Sequence, residues 1–341
     1  MKKLFVSLLA VAMLLSMMTA CGGKKEAEYK LGMGVDVSTA SSKAGTAQVD
    51  ATVATVVLDK DGKIVDCKID VAQSKLGVAE GALEDGAADK AFKTKQELKE
   101  EYNMKPASPI GKEWYEQAKF LEDYVVGKTA AEVAAIATVE KNGHPSVPAD
   151  ADLTAGCTMD IGAFKAAIAK ACADDQAKTF KASDMKLGLA AITAVDASSK
   201  DADDENDGSA NIYSTFSAMV VDANGKTLAA IVDAIQPKVA FDADGEITGA
   251  NYTDTKRVLK DNYNMVKFSP AGTCIAEWYV QANALTDYVV GKTADEIKAI
   301  ATADTRNDGY MRPTDADLAA KCTMQIPEYQ EVMAKAIGLA D

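Results

Sequence analysis

The apolar positions along the chain fall into two rhythms. Ala51 to Leu58 is dense in β-branched residues, Asp59-Lys60-Asp61-Gly62 interrupts it, and Ile64 to Val71 alternates. That order predicts an antiparallel hairpin. Ala218 to Val221, a turn at Ala223-Asn224-Gly225 and Thr227 to Ile235 predict a second hairpin. Val239-Ala240-Phe241 with Gly245 to Ala250 predicts another. Gly77 to Asp89 is rich in Gly and Ala and predicts no clear element. Elsewhere the spacing is helical. Trp114, Ala118, Leu121 and Val125 share one face, and Gly127 suits the position just past the helix end. Thr129-Ala130-Ala131-Glu132 and Thr293-Ala294-Asp295-Glu296 are capping boxes that open further helices. Ile161, Phe164, Ile168 and Ala171, then Tyr329, Met333 and Ala336, mark a last helix in each half. The expected class is α+β, small antiparallel sheets packed with helices.

The pattern occurs twice, at a spacing of about 160 residues. Lys30-Leu31-Gly32 returns as Lys186-Leu187-Gly188, and Tyr102-Asn103-Met104 as Tyr263-Asn264-Met265. Glu113-Trp114-Tyr115 with Gln117-Ala118 returns as Glu277-Trp278-Tyr279 with Gln281-Ala282. Asp123 to Thr129 returns whole at Asp287 to Thr293, Asp150 to Leu153 as Asp315 to Leu318, and Cys157-Thr158-Met159 as Cys322-Thr323-Met324. Two tandem homologous domains are expected, 30–173 and 184–341, joined by a linker over 174–183.

The start of the chain has a different grammar. Lys2 and Lys3 precede an apolar run from Leu4 to about Met18, the h-region of a signal peptide and too short to span a bilayer comfortably. Met18-Thr19-Ala20-Cys21 resembles a lipobox, which implies removal of residues 1–20 and lipidation of Cys21; residues 21–29 read as a tether. The expected location is the outer face of a cell membrane. The remaining cysteines, Cys67, Cys157, Cys172, Cys274 and Cys322, are odd in number and lack close pairing, which argues against a disulfide framework or a zinc site.

Composition narrows the chemistry. A net charge of −14 disfavours nucleic acid. A single histidine, His144, limits metal centres and acid–base triads, and it has no counterpart in the second half. Gly127-Lys128-Thr129 lacks the upstream glycine of a phosphate-binding loop, since Glu122 and Thr286 stand there. Asp201 to Gly208 looks like half a calcium loop, yet Ser214 stands where the bidentate Glu belongs. Trp114 and Trp278 suit a core or a stacking platform.

Asp152-Leu153-Thr154-Ala155-Gly156-Cys157-Thr158, with Asp317-Leu318-Ala319-Ala320-Lys321-Cys322-Thr323, is the informative stretch. A Thr after a loop of small residues, ahead of a helix, suits either an attached phosphate or plain capping. The stretch is similar to the flavinylation motif of FMN-binding domains: Asp, two residues, Ser or Thr, Gly, Ala, Thr. Ala155 and Ala320, Cys157 and Cys322, and Lys321 depart from it. The wider tract through Tyr-Asn-Met, Glu-Trp-Tyr, Tyr-Val-Val-Gly-Lys-Thr and Asp-Ala-Asp-Leu resembles the FMN-binding lipoproteins of flavin-based extracellular electron transfer. That resemblance implies a lipid-anchored electron carrier rather than a turnover enzyme. It implies FMN joined by a phosphoester to Thr158 and Thr323 through a magnesium-dependent flavin transferase, with Asp152, Asp317, Gly156, Cys157 and Cys322 around the attachment points. Tyr102, Met104, Trp114, Tyr263, Met265 and Trp278 are candidates for the pocket. The expected partners are that transferase, a membrane redox donor and extracellular electron acceptors. A solute-binding lipoprotein without covalent cofactor, and a surface adhesion module, are the alternatives.

Overall fold

The computed structural model describes residues 26–252 and 254–341. The segment expected to be a signal peptide, Cys21 and most of the expected tether lie outside the described residues. The class is α+β.

The first half opens with three long strands, β1 (Ala27–Ser38), β2 (Thr46–Leu58) and β3 (Ile64–Ala79), followed by two short ones, β4 (Ala82–Leu83) and β5 (Ala91–Phe92). Then come α1 (Lys95–Leu98), α2 (Trp114–Val125), α3 (Ala130–Ala134), the hairpin β6 (Thr138–Lys141) and β7 (His144–Pro148), α4 (Ala151–Thr154) and α5 (Gly162–Cys172). The second half repeats the plan after β8 (Lys178–Ala182). It has β9 (Lys186–Val195), β10 (Gly208–Val221), β11 (Thr227–Ile235), β12 (Lys238–Phe241) and β13 (Ile247–Asn251), then α6 (Lys256–Leu259), α7 (Met265–Phe268), α8 (Trp278–Tyr288) and α9 (Ala294–Lys298). It closes with β14 (Thr302–Ala303), β15 (Arg312–Pro313), α10 (Ala316–Ala319) and α11 (Pro327–Gly338). Among the described residues no helix is long and apolar enough to cross a membrane.

Each expected hairpin is present. β2 pairs antiparallel with β3, β10 with β11, and β12 with β13. Gly77 to Asp89 resolves into the end of β3, the short β4 and one helical turn. Both capping boxes form, with Thr129 and Thr293 accepting the N–H of Glu132 and Glu296. Gly127 follows α2 with φ +82°, a left-handed conformation that Gly adopts without penalty.

Most strands make two large sheets, ordered β4-β3-β2-β1-β8 and β13-β12-β10-β9-β5, with β11 also on β10, and β6-β7 and β14-β15 form two small ones. The halves exchange edges. β8, inside the segment read as a linker, pairs with β1, while β5 of the first half pairs with β9 of the second. The two sheets face each other. Val53, Val57 and Leu31 of one pack with Phe216, Ile231 and Leu187 of the other in one core. Helices cover the outer faces: α2 and α5 lie over Val56 and Ile69, while α8 and α11 lie over Met219 and Val232. The order of layers is therefore helix, sheet, sheet, helix. It explains the near-continuous apolar runs of β2 and β10, which are buried on both sides.

Gly32 and Gly188 show why the Lys-Leu-Gly triplet recurs. A Cβ on Gly32 would stand 2.1 Å from the Ala171 carbonyl oxygen, and one on Gly188 1.9 Å from that of Ala336. The last helix of each half lies directly on strand backbone there. The halves are also pinned by a buried ion pair: Arg257 Nη1 reaches Asp174 Oδ2 at 2.8 Å, and Met33 N–H donates to the same oxygen.

Candidate functional site

In each half a polar side chain interrupts the apolar face of a long helix. Gln117 on α2 and Gln281 on α8 are both fully buried. The Thr158 N–H and hydroxyl donate to Gln117 Oε1 at 2.8 and 3.2 Å. Thr323 does the same to Gln281 Oε1 at 2.7 and 3.1 Å. The far end of each amide sets its orientation. Gln117 Nε2 donates to the Lys112 carbonyl and the Ser108 hydroxyl, both at 3.1 Å. Gln281 Nε2 donates to the Ala276 carbonyl at 2.6 Å and lies 3.3 Å from Cys274 Sγ. A carbonyl accepts only, so Oε1 must face the threonine. Both threonines are half-buried between a buried cysteine and a buried methionine.

The expected helix N-terminus is displaced. α5 begins at Gly162, beyond Thr158, and α11 at Pro327, beyond Thr323. Met159 and Ile161 are buried, and they draw the intervening residues along the core rather than straight into the helix. Asp160 answers the Gly162 N–H at 2.9 Å and the Ser146 N–H at 3.0 Å. Asp152 and Asp317 are exposed, and the capping role falls to their neighbours Asp150 and Asp315, which accept two N–H groups each. Cys157 and Cys322 are buried, which pushes each thiol up to about 11. Neither is a ready thiolate.

Trp114 and Trp278 are core residues, 2% exposed, against Phe164 and Tyr329 at ring distances of 6.0 and 6.1 Å. Tyr102 and Tyr263 gather around a lysine instead of the threonines. Lys95 Nζ lies 4.7 Å from the Tyr102 ring and 5.7 Å from Trp114. Lys256 Nζ lies 4.8, 4.9 and 5.8 Å from Tyr213, Tyr263 and Trp278, and burial pushes it down to about 8. Met104 is anchored by its N–H to Glu113. Met265 lies nearer the site, its Sδ 3.9 Å from Gln281 Nε2. Of the sequence candidates, then, Thr323 and Met265 meet through Gln281, whereas the tryptophans and tyrosines form a separate cluster. His144 is exposed in the β6–β7 hairpin. The glutamines escaped sequence reading, although a Gln within an otherwise apolar helical stripe is a legible signal.

The halves differ beside the threonine. A Cβ on Gly156 would fall 2.2 Å from the Phe120 ring, which covers that glycine. In the second half Lys321 takes the place of Gly156, and Ala284 takes the place of Phe120. The missing ring leaves a cavity of about 370 Å³ lined by Ala284, Asn283, Tyr288 and Lys321. Arg312, held to Asp308 at 2.7 and 2.8 Å, donates from Nε to the Thr323 carbonyl at 3.0 Å.

No protein-family model matches the chain, and no solved structure matches it. The chain is similar to a chlorophenol reductase of Desulfitobacterium hafniense, with 36% identity over 96 residues. The match covers 25% of this chain and 29% of the relative, so the chain spans less than a third of that relative's length.

Proposed function

We propose that the chain is a lipid-anchored electron carrier with FMN joined through a phosphoester to Thr158 and to Thr323. The observation that carries the reading is the same Gln–Thr pair in both halves, in which a half-exposed hydroxyl faces a neutral amide oxygen. Residues and group fit each other. A phosphoester takes the hydroxyl proton away, yet Gln117 Oε1 keeps the shorter bond from the Thr158 N–H and Gln281 Oε1 keeps that from Thr323. No buried acceptor is orphaned. A carboxylate in place of the amide would repel the phosphate; the glutamine does not.

When bound, FMN supplies one- and two-electron chemistry that the side chains lack. The protein's own part is placement. Gln117 and Gln281 fix the threonine backbone, and Lys112 near the first site with Lys321 and Arg312 near the second offset the phosphate charge. A reductase among the similar proteins agrees with a redox role. The N-terminal pattern supports a lipid on Cys21, and the family resemblance supplies the rest of the setting: a flavin transferase matures the protein, a membrane donor supplies electrons, and extracellular acceptors take them.

The experiment is intact mass and in-gel flavin fluorescence after co-expression with a flavin transferase. Added FMN mass on the wild type, absent from the Thr158→Ala/Thr323→Ala double variant, is the expected result. A colourless protein without added mass, or mass unaffected by the double variant, overturns the proposal in favour of a solute-binding or adhesive lipoprotein.

A further inference from the structure

Two related clefts lie between the α2-type helix of one half and the last helix of the other. One cleft is filled. Arg257 of α6 spans it to Asp174 and to the Gln176 carbonyl, and Asn283 reaches Gln176 Oε1. The other is open, with a volume of about 420 Å³. That size is ordinary for a small-molecule site. Its walls are Ile69, Tyr115 and Glu122 from the first half and Ala190, Ala191 and Leu339 from the second. Gln96 stands where Arg257 stands in the filled cleft, and Leu339 where Asp174 stands. The plugging ion pair has no equivalent here.

Glu122 makes the open cleft chemically distinct. It is 3% exposed, and its Oε1 accepts the Ile69 N–H at 2.8 Å. Glu122 lines the cleft, and among the described residues no hydrogen bond reaches its other oxygen. Thr286 occupies the same place in the second half and satisfies itself on the Asn283 carbonyl at 3.0 Å. The repeat's packing is thus served by a threonine, and a buried carboxyl costs free energy that needs another reason. Burial raises Glu122 to about 8, which favours the protonated, hydrogen-donating carboxyl at neutral pH. Three of the lysines around it are already paired, Lys68 with Asp341, Lys119 with Asp123, and Lys335 with Glu97, and the fourth, Lys99, is exposed to solvent. The cleft therefore calls for an uncharged acceptor on an apolar body rather than for a free anion. Ala190 and Ala191 project to opposite faces of β9, so the unpaired edge of that strand, without side-chain bulk, shapes a narrow wall opposite the edge of β3.

We propose that this cleft binds a planar aromatic carbonyl compound, its ring in the slot between the edges of β3 at Ile69 and of β9 at Ala190–Ala191 and a carbonyl oxygen on the Glu122 carboxyl. The proposal goes beyond cofactor attachment and is independent of it, because the cleft is complete without Thr158 or Thr323. The test is titration calorimetry of the full chain, purified without flavin, with the uncharged 2-(hydroxymethyl)anthraquinone as probe. Saturable one-to-one binding is expected, retained within about threefold by Glu122→Gln, which keeps a donor, and weakened at least about tenfold by Glu122→Leu. Leu339→Trp, at an exposed position, narrows the mouth and weakens binding to the same extent. Absence of binding in the wild type, or affinity unchanged in Leu339→Trp and in a folded Glu122→Leu, overturns the proposal. If Glu122→Leu does not fold, Leu339→Trp decides.

Discussion

The first and second halves share much of their backbone plan, and two of the differences between them border cavities. Beside the threonine, Gly156 under Phe120 becomes Lys321 under Ala284. On the inner side of the α2-type helix, Glu122 becomes Thr286, and Gln96 becomes Arg257. What stays constant is what the packing demands: the glycine under the last helix, the buried Gln–Thr pair, the tryptophan in the core and the capping threonine. The contrast separates scaffold from use. Positions with one steric solution repeat, and positions bordering a cavity diverge.

The largest expected effect tests the constant part. Gly32→Ala and Gly188→Ala each place a methyl group within about 2 Å of a carbonyl oxygen of the covering helix. Helix and strand must separate, so each substitution should cost about 3 kcal/mol or more, and the two costs should agree within about 1 kcal/mol. Urea unfolding followed by far-UV circular dichroism measures both. A negligible cost in one half alone would show that the two helices do not sit on their strands in the same way.

A smaller effect tests the divergent cleft through pH. Desolvation raises Glu122 above its ordinary value, to about 8. The folded state therefore holds a proton that the unfolded chain releases near pH 4.5. The stability tied to protonated Glu122 is complete below that value and is lost as pH rises through about 8. With water entering the cleft, the loss should be roughly 2–3 kcal/mol between pH 5 and pH 9. Asp70 and Asp233, each raised to about 6 by burial, act with the same sign at lower pH in both halves, and Lys256 acts oppositely above pH 8. The comparison of wild type with Glu122→Gln isolates the one group. The variant's thermal midpoint should fall less from pH 5 to pH 9. Equal slopes would mean that Glu122 is hydrated and ionised.

Much of this was legible in the residues and some was not. Hairpins, capping boxes and the α2 and α8 stripes follow from local periodicity, which depends on a few neighbours. The continuous apolar run of β2 signals burial on both faces, but no local rule says that the second cover is the other half's sheet. Lys178–Ala182 alternates around Phe180 as an edge strand does, and it was masked by the polar Asp174-Asp175-Gln176 before it. The threonines were legible as a motif, while their exact setting was not, because Met159 and Ile161 pull the chain inward before α5 begins. Glu122 sits in a Glu-Asp pair that looks solvated, and only the packing of α2 on the edge of β3, where the Ile69 N–H meets it, reveals it as buried.

The smallest effect exchanges the divergent pair beside the threonine. Gly156→Lys alone forces a Cβ into the Phe120 ring, 2.2 Å away. The ring is half-buried and can swing outward, so the cost should be about 1–2 kcal/mol rather than a full core clash. Phe120→Ala alone loses part of a ring's contacts and should cost about 1 kcal/mol. Together they recreate the Lys321–Ala284 arrangement, and the double variant should be more stable than the sum of the single costs by about 1 kcal/mol. The mirrored exchange, Lys321→Gly with Ala284→Phe, should close the cavity beside Tyr288 and show coupling of the same sign. Denaturant midpoints of the two cycles measure both terms. Strict additivity in both would mean that the ring and the glycine are independent choices, and that the second half's cavity was shaped by something other than the side chain at position 321.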